Sequence, residues 1–126
     1  MKVLLTGGAG YIGSHTAAAF CAAGLQPVLL DNFSNSHPAV LERLARITGQ
    51  AIECERGDVL DTPWVQDVLR RHQPVGVVHF AGVKAVGESV ARPLKYYQQN
   101  VGGSISLLRA IEAVVEADAM PLPAFV

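Results

Sequence analysis

Four glycines stand close together near the start of the chain, at positions 7, 8, 10 and 13 of the stretch TGGAGYIGSH. They follow the apolar run Val3–Leu5 and precede a segment whose apolar residues recur at helical spacing. Glycines at a strand-to-helix turn let backbone amides approach a phosphate, and the partial positive charge of the helix N-terminus favours the same anion. Both G-x-G-x-x-G and G-x-x-G-x-x-G fit the four positions, so the pattern predicts a pyrophosphate-binding loop.

Two acidic residues stand where such a loop needs them. Asp31 follows Gly13 by 18 residues and ends the next apolar run. A carboxylate there accepts hydrogen bonds from the ribose hydroxyls of a dinucleotide and repels a 2′-phosphate, which favours NAD over NADP. The alternative interpretation of Asp31 is a turn residue beside Asn32. Asp58 either accepts a hydrogen bond from the adenine amino group or lies in a solvated loop, and its residue type leaves both open.

Other kinds of chemistry are not indicated. No GK[ST] follows the glycines, so the loop is not a triphosphate-binding P-loop. A net charge of −1 gives no argument for nucleic acid or an anionic membrane, and no apolar run approaches a membrane span. We expect no metal and a cytoplasmic, reduced protein. The four histidines are scattered and are interpreted as packing or surface residues: His15, His37, His72 and His79. Cys21 and Cys54 are interpreted as buried thiols.

The elements that must position these residues alternate between strand and helix. Buried strands are predicted at Lys2–Leu5, Pro27–Leu30, Ala51–Glu55 and Pro74–Phe80, with a fifth beginning within Pro121–Val126. Helices are predicted from Ile12 to a stop at Gly24, from Ser36-His37-Pro38 and from Thr62-Pro63. The buried face of the second helix is expected to contain Val40, Leu41, Leu44 and Ile47, and that of the third Trp64, Val65, Val68 and Leu69.

The last part of the chain is predicted to be a loop at Ala81–Val90 followed by a long helix from Pro93. One side of this helix carries Leu94, Tyr97, Val101, Ile105, Leu108, Ile111 and Val115. The alternation predicts an α/β fold: a Rossmann-like parallel sheet with helices on both faces, truncated near the fifth strand. We therefore interpret residues 1–126 as an incomplete NAD-binding Rossmann domain, the N-terminal part of a longer protein with a separate substrate domain.

Five segments in order carry a resemblance to a known family: TGGAGYIGSHT, LDNFSNS, GDV, HFAGVKAVGES and PLKYYQQNV. With them, the chain resembles the N-terminal part of the UDP-glucose (UDP-galactose) 4-epimerases, which are extended short-chain dehydrogenases/reductases. The resemblance covers nearly all of the chain. The glycine loop is shared by the whole superfamily, whereas AGVKAVGES is closer to epimerase-specific because related dehydratases carry a more acidic segment there.

The resemblance implies tightly bound NAD and a role for each matching residue. The glycine loop and the residues after it lie against the pyrophosphate, Asp31 and the segment after it hold the adenosine ribose, and Asp58 meets adenine. The segment after the fourth strand lies along the cofactor, although from the residues alone Lys84 is an ordinary exposed lysine. Gln99 stands where epimerases often have Asn. The implied cofactor-binding residues are Gly7, Gly10, Tyr11, Ile12, Gly13, Asp31, Asn32, Phe33, Ser34, Asn35, Ser36, Asp58, Val59, Phe80, Ala81, Gly82, Lys84 and Asn100.

The implied reaction interconverts UDP-glucose and UDP-galactose through a 4-keto intermediate, as part of galactose metabolism. The family removes the C4 hydroxyl proton with a tyrosine, aided by a lysine four residues later and by a Ser or Thr. Tyr11, Tyr96 and Tyr97 each lack that lysine, so we expect the catalytic residues beyond Val126 and no turnover by this chain.

The same residues leave three other functions to consider besides the epimerase. The chain also fits another nucleotide-sugar short-chain enzyme, such as a 4,6-dehydratase, or a non-catalytic NAD-binding module; a methyltransferase is disfavoured by the TGxxGxxG spacing with its distant Asp.

Family epimerases form homodimers by pairing two helices from each subunit. The helix Leu94–Ala117 resembles one of these, so we expect an exposed apolar surface and self-association.

Overall fold

Near-continuous apolar runs form the middle strands of a five-stranded parallel sheet in the computed structural model, which describes residues 1–126. The strands lie in the order β3-β2-β1-β4-β5, and each neighbouring pair is parallel. They are β1 (Lys2–Thr6), β2 (Gln26–Asp31), β3 (Glu53–Arg56), β4 (Gly76–His79) and β5 (Ala124–Phe125). The predicted Rossmann-like α/β fold is confirmed.

Six α-helices connect the strands. They are α1 (Tyr11–Ala22), α2 (Ala39–Thr48), α3 (Thr62–His72), α4 (Val86–Ala91), α5 (Pro93–Tyr96) and α6 (Gly103–Asp118). A π-helical turn, Tyr97–Gly102, joins α5 to α6. No helix combines the length and the apolar character that crossing a membrane requires.

Successive strand residues pack on opposite faces of the sheet, because side chains alternate along a strand. Leu4, Leu30 and Val77 face α3 and α6 and belong to a core of 13 buried residues. Leu5 and Leu29 face α1 and α2 in a second, smaller core. Covering both faces leaves the carboxyl ends of the strands as the place where polar groups gather.

A charged cluster fastens α3 to β3 near the amino-terminal end of β1. Glu55 accepts from His72 Nε2 at 2.6 Å and from Arg71 at 2.6 Å, and Lys2 Nζ lies 3.2 Å from His72 Nδ1. Burial opposes ionisation of Glu55, but the hydrogen bonds from His72 and Arg71 outweigh it and lower the pKa of the carboxyl. On the same strand, burial and then the nearby acids Asp31 and Glu55 raise the pKa of the Cys54 thiol to about 11.

Three local predictions were wrong. Ile47 is 73% exposed rather than part of the buried face of α2, which packs through Leu44 with Val40 and Leu41. Ala81–Val90 is not all loop, because Val86 begins α4. The long helix from Pro93 is interrupted by the π-helical turn at Tyr97–Gly102. Its expected exposed apolar surface is present, formed by Leu94, Tyr97, Val101, Ile105 and Leu108, whereas Leu107, Ala110 and Val114 are buried.

Candidate functional site

A cavity of about 540 Å³ opens at the carboxyl ends of the strands. It spans the point where the chain, after building β2 and β3 on one side of β1, crosses to place β4 on the other side. Open parallel sheets bind ligands at such a switch point. The cavity is lined by Gly7, Gly10, Tyr11, Ile12, Gly13, Leu30, Asp31, Asn32, Ser34, Asn35, Ser36, Gly57, Asp58, Val59, Phe80, Ala81, Gly82, Val83, Lys84, Ala85 and Gln99.

The glycine loop is packed so closely that side chains are excluded from it. Gly7 has φ +66°, and a Cβ there would lie 2.7 Å from the amide nitrogen of Ala81. A Cβ on Gly13 would lie 2.5 Å from the carbonyl oxygen of Gly7. A Cβ on Gly10 would meet only that same oxygen, at 3.2 Å. Gly7 and Gly13 are therefore required by the fold, whereas Gly10 leaves its open side to the cavity.

The N-terminus of α1 faces the cavity without a side-chain cap. Gly10 is the N-cap, it has no side chain to offer, and the first turn of α1 contains no acidic residue. Tyr11 and Ile12 in that turn are exposed. The first amides of a helix lack carbonyl partners within it and carry the positive end of the helix dipole. This end of α1 therefore favours an anion, as the glycine spacing predicts.

Asp31 is held rigidly at the edge of the cavity. Only 8% of the residue is exposed, and its Oδ2 accepts from the amide of Ala9 at 2.9 Å. Its Oδ1 accepts from the amide of Phe33 and the hydroxyl of Ser36, both at 2.9 Å. A carboxylate can accept about four hydrogen bonds. Three of these are accounted for, so Oδ2 can accept one more hydrogen bond, and Asp31 lines the cavity.

The ends of β2 and β3 are joined by side chains. Asn32 Nδ2 donates to Asp58 Oδ2 at 2.9 Å, and Asp58 Oδ1 accepts from the amide of Leu60 at 2.9 Å. Phe33 has φ +56°, and its ring lies 5.5 Å below the guanidinium of Arg56. The side chain of Phe33 therefore packs against Arg56, and Phe33 does not line the cavity.

The opposite wall of the cavity follows β4 and is fixed from the π-helical turn. Val83 donates its amide to Asn100 Oδ1 at 2.8 Å, and Asn100 Nδ2 donates back to the carbonyl of Val83 at 2.9 Å. Lys84 Nζ donates to the carbonyl of Phe80 at 3.2 Å. Asn100 thus acts on the cavity through Val83 and does not line it.

The structure brings together nearly all of the residues predicted from the sequence. Of the predicted cofactor-binding set, all but Phe33 and Asn100 line the cavity. Gln99 lines it as well, and so do four residues that the sequence reasoning missed: Leu30, Gly57, Val83 and Ala85. Each of these four lies next to a predicted residue in the chain. Their position next to a predicted residue is the feature of the sequence that could have identified these four.

A family model and several relatives match this chain. The model described as GDP-mannose 4,6 dehydratase matches residues 4–121. The chain belongs to that family. The UDP-glucose 4-epimerase of Pasteurella multocida (strain Pm70) is 49% identical to it over 112 residues, which are 89% of this chain and 33% of the relative.

Solved epimerase structures share its fold. The UDP-glucose-4-epimerase of Stenotrophomonas maltophila, with bound NAD and formylated UDP-arabinopyranose, superposes with a TM-score of 0.87 at 44% identity, covering 89% of this chain and 33% of that one. The enzyme of Bifidobacterium longum, in complex with NAD+ and UDP, gives 0.87 at 41% identity, covering 90% and 34%. The predicted resemblance to these epimerases is confirmed. The chain spans about a third of the length of the relatives it matches.

Proposed function

We propose that the cavity binds NAD. The observation that carries the proposal is the convergence of an uncapped helix N-terminus, a glycine loop and a fixed carboxylate around one cavity at the switch point. These groups fit the pyrophosphate and a ribose of a dinucleotide in turn. The volume of about 540 Å³ lies within the range of roughly 300–1,000 Å³ usual for ligand pockets.

Each wall of the cavity has a task in this proposal. The amides at Tyr11 and Ile12 bind the pyrophosphate, and Asp31 accepts from the ribose through its available acceptor position. On the ribose side with Asp31, the cavity is lined by Asn32, Ser34, Asn35 and Ser36, and Phe33 adjoins them in the chain without lining it. Asp58 and Val59 meet adenine. Phe80, Ala81, Gly82 and Lys84 lie along the other half of the cofactor. Asn100 positions this last segment through Val83.

We further propose that the chain is the NAD-binding part of a UDP-glucose 4-epimerase, acting on UDP-glucose and UDP-galactose. Bound NAD supplies reversible hydride transfer, here at C4 of the hexose. The residues of this chain bind and orient the cofactor. Removal of the C4 hydroxyl proton needs a Tyr-x-x-x-Lys pair, which is absent from residues 1–126. The identity of 49% to an epimerase supports this assignment.

A 4,6-dehydratase is the second candidate, because the matching family model carries that description. The segment AGVKAVGES favours the epimerase. We also propose a homodimer through residues 94–117, which comprise most of α5, the π-helical turn and most of α6, supported by the exposed Leu94, Ile105 and Leu108. The proposed location is the cytoplasm, which suits the two free cysteines.

Calorimetric titration of the chain with NAD⁺ and with NADP⁺ tests the cofactor proposal. We expect NAD⁺ to bind and NADP⁺ to bind at least about tenfold more weakly, because the 2′-phosphate would face Asp31. Equal affinities, or no binding of either, would refute it.

A chimaera tests the reaction. This chain would replace the matched third of the Pasteurella multocida epimerase, and UDP-galactose conversion would be followed by a coupled assay. We expect conversion by the chimaera and none by the 126-residue chain alone. A folded chimaera that binds NAD⁺ but leaves UDP-galactose unconverted would favour the dehydratase or the non-catalytic module.

A further inference from the structure

A line of hydrogen bonds runs behind the β4 wall of the cavity, from the end of β1 to the start of α6. Thr6 Oγ1 lies 2.6 Å from Nδ1 of His79, and Nε2 of His79 lies 3.1 Å from Ser104 Oγ. Ser104 Oγ lies 2.7 Å from the backbone carbonyl oxygen of Asn100. At the other end, the amide of Ala81 donates to Thr6 Oγ1 at 3.3 Å. None of the roles given above uses His79.

The carbonyl end of this line, together with a neutral ring that carries a single proton, fixes the direction of the hydrogen bonds in it. A carbonyl oxygen only accepts, so the Ser104 hydroxyl donates to Asn100 and its oxygen accepts from Nε2–H of His79. Thr6 accepts from the amide of Ala81 and has its own proton to donate to Nδ1 of His79. A neutral imidazole with its proton on Nε2 therefore satisfies all of these groups at once.

We propose that His79, as the neutral imidazole with its proton on Nε2, is a positioning residue that holds the β4 wall of the nucleotide cavity in place. Through Thr6 it fixes Ala81, which lines the cavity. Through Ser104 it fixes the backbone of Asn100, whose side chain holds Val83, another lining residue. The proposal rests on the proposed function, since the cavity that it shapes is the one assigned to NAD.

The surroundings of His79 resist its protonation. Thr6 from β1, Phe125 from β5 at 6.3 Å between ring centroids, and Ser104 from α6 are uncharged. Lys84 supplies a positive charge near the ring, and an oxygen of the terminal residue Val126 accepts from the backbone amide of His79 at 2.8 Å. Burial, and then the positive charge of Lys84, lower the pKa of His79 below its ordinary value of 6.5. A proton on Nδ1 would turn the hydroxyl of Thr6 away from the ring, so the arrangement holds at neutral pH and is lost only in acid.

Nitrogen NMR of the ¹⁵N-histidine-labelled chain tests the proton's position without any nucleotide. We expect His79 at pH 7.5 to show an unprotonated Nδ1 and a protonated Nε2, and to stay neutral as the pH falls to 6.5. A proton on Nδ1 at pH 7.5, or a ring already half-protonated at pH 6.5, would overturn the proposal. This measurement gives the protonation state of His79 even if the chain binds no NAD⁺. An unexpected protonation state can therefore be distinguished from failure of the proposed function.

Binding measurements test what the ring does for the cavity. His79→Phe removes both hydrogen bonds, while His79→Asn places an acceptor toward Thr6 and His79→Gln places an amide toward Ser104. We expect His79→Phe to weaken NAD⁺ binding about tenfold, with faster amide exchange at Ala81 and Val83, and the other two variants to recover part of the loss. Ser104→Ala probes the same line from its far end and should also speed exchange at Val83.

The pH profile separates positioning from a general loss of packing. NAD⁺ affinity of the unaltered chain should be constant above pH 6.5 and fall in acid, and His79→Phe should lose that fall. His72→Gln, at the opposite end of the sheet, is the matched control and should keep the profile. Unaltered affinity and an unaltered profile in both His79→Phe and Ser104→Ala would overturn the proposal.

Discussion

Gly13→Ala is expected to damage the fold and the cofactor site together. Gly13 lies in the first turn of α1, where a Cβ would stand 2.5 Å from the carbonyl oxygen of Gly7 and 2.7 Å from Cα of Gly8. Both are backbone atoms, so no side chain can rotate to make room. Either α1 moves away from the loop or the loop moves away from the ends of β1 and β4. Each movement displaces the amides that we assign to the pyrophosphate.

The size of the effect follows from this contact. Overpacking by one methyl group costs about 1–3 kcal/mol, and an unyielding backbone neighbour points to the upper half of that range. For a chain of 126 residues, each kcal/mol lowers the unfolding midpoint by about 4 °C, which gives a decrease of about 8–12 °C. NAD⁺ affinity should fall by at least about tenfold, because a displacement of the amides by a few tenths of an ångström weakens every hydrogen bond to the phosphate.

Two other glycines provide matched comparisons for the same substitution. Gly10→Ala would place its Cβ 3.2 Å from one carbonyl oxygen, so we expect a loss of stability below about 1 kcal/mol. Because the open side of Gly10 faces the cavity, its NAD⁺ affinity should still fall. Gly87→Ala, in α4, meets nothing within 4 Å and should stabilise the chain by about 0.5 kcal/mol.

Thermal unfolding and calorimetric NAD⁺ titration of the three variants would check this reasoning. The expected order of stability is Gly87→Ala, unaltered chain, Gly10→Ala, Gly13→Ala. If Gly13→Ala unfolded at the temperature of the unaltered chain, the packing argument would be refuted. If Gly10→Ala bound NAD⁺ as tightly as the unaltered chain, the loop would not be the pyrophosphate site.

Three further predictions concern separate parts of the chain. Asp31→Asn should lower the free energy of unfolding by about 1–3 kcal/mol, because its side-chain NH₂ group would replace an oxygen that now accepts a hydrogen bond from a donor such as the amide of Ala9 or the hydroxyl of Ser36. It should also reduce the preference for NAD⁺ over NADP⁺ in a paired titration. Because the pKa of Glu55 is lowered in the fold, its stabilisation is present above its ordinary pKa of 4.5 and is lost as the pH falls through the lowered value. Urea unfolding from pH 7 to pH 3 should therefore show a shallower loss for Glu55→Gln. Light scattering at high concentration should show self-association of the unaltered chain and a monomer for Ile105→Glu with Leu108→Glu; a monomeric unaltered chain would contradict the proposed dimer.

The strand–helix alternation was predictable from the sequence because both faces of this sheet are covered. A strand such as β1 then contains a continuous apolar run, Val3–Leu5, and glycine or proline lies near the ends of the helices. Ile47 was misplaced because helical spacing gives the mean direction of an apolar stripe and not its width. α2 packs through Leu44 with Val40 and Leu41, and Ile47 in its last turn lies outside this packed face.

The candidate site was predictable where one residue type has one physical reason to be there. A glycine loop after a strand and an acid ending the next strand satisfy that condition. Asn100 was identified only by resemblance, since nothing in its spacing tells that its side chain pairs with the backbone of Val83. Likewise α4 was missed, because a helix of six residues leaves too short a pattern to distinguish it from a loop.

Hydrogen bonds within the chain hold the cavity in shape. Asp31 is fixed by the amide of Ala9, Asn32 by Asp58, and Val83 by Asn100, so each pair joins segments far apart in the sequence. A ligand that meets groups already in place loses less affinity to their ordering. Binding should therefore be sensitive to residues that never touch the ligand. Asn100→Ala would remove no proposed contact with NAD, yet it would release Val83, and we expect it to weaken binding as much as a substitution in the cavity wall itself.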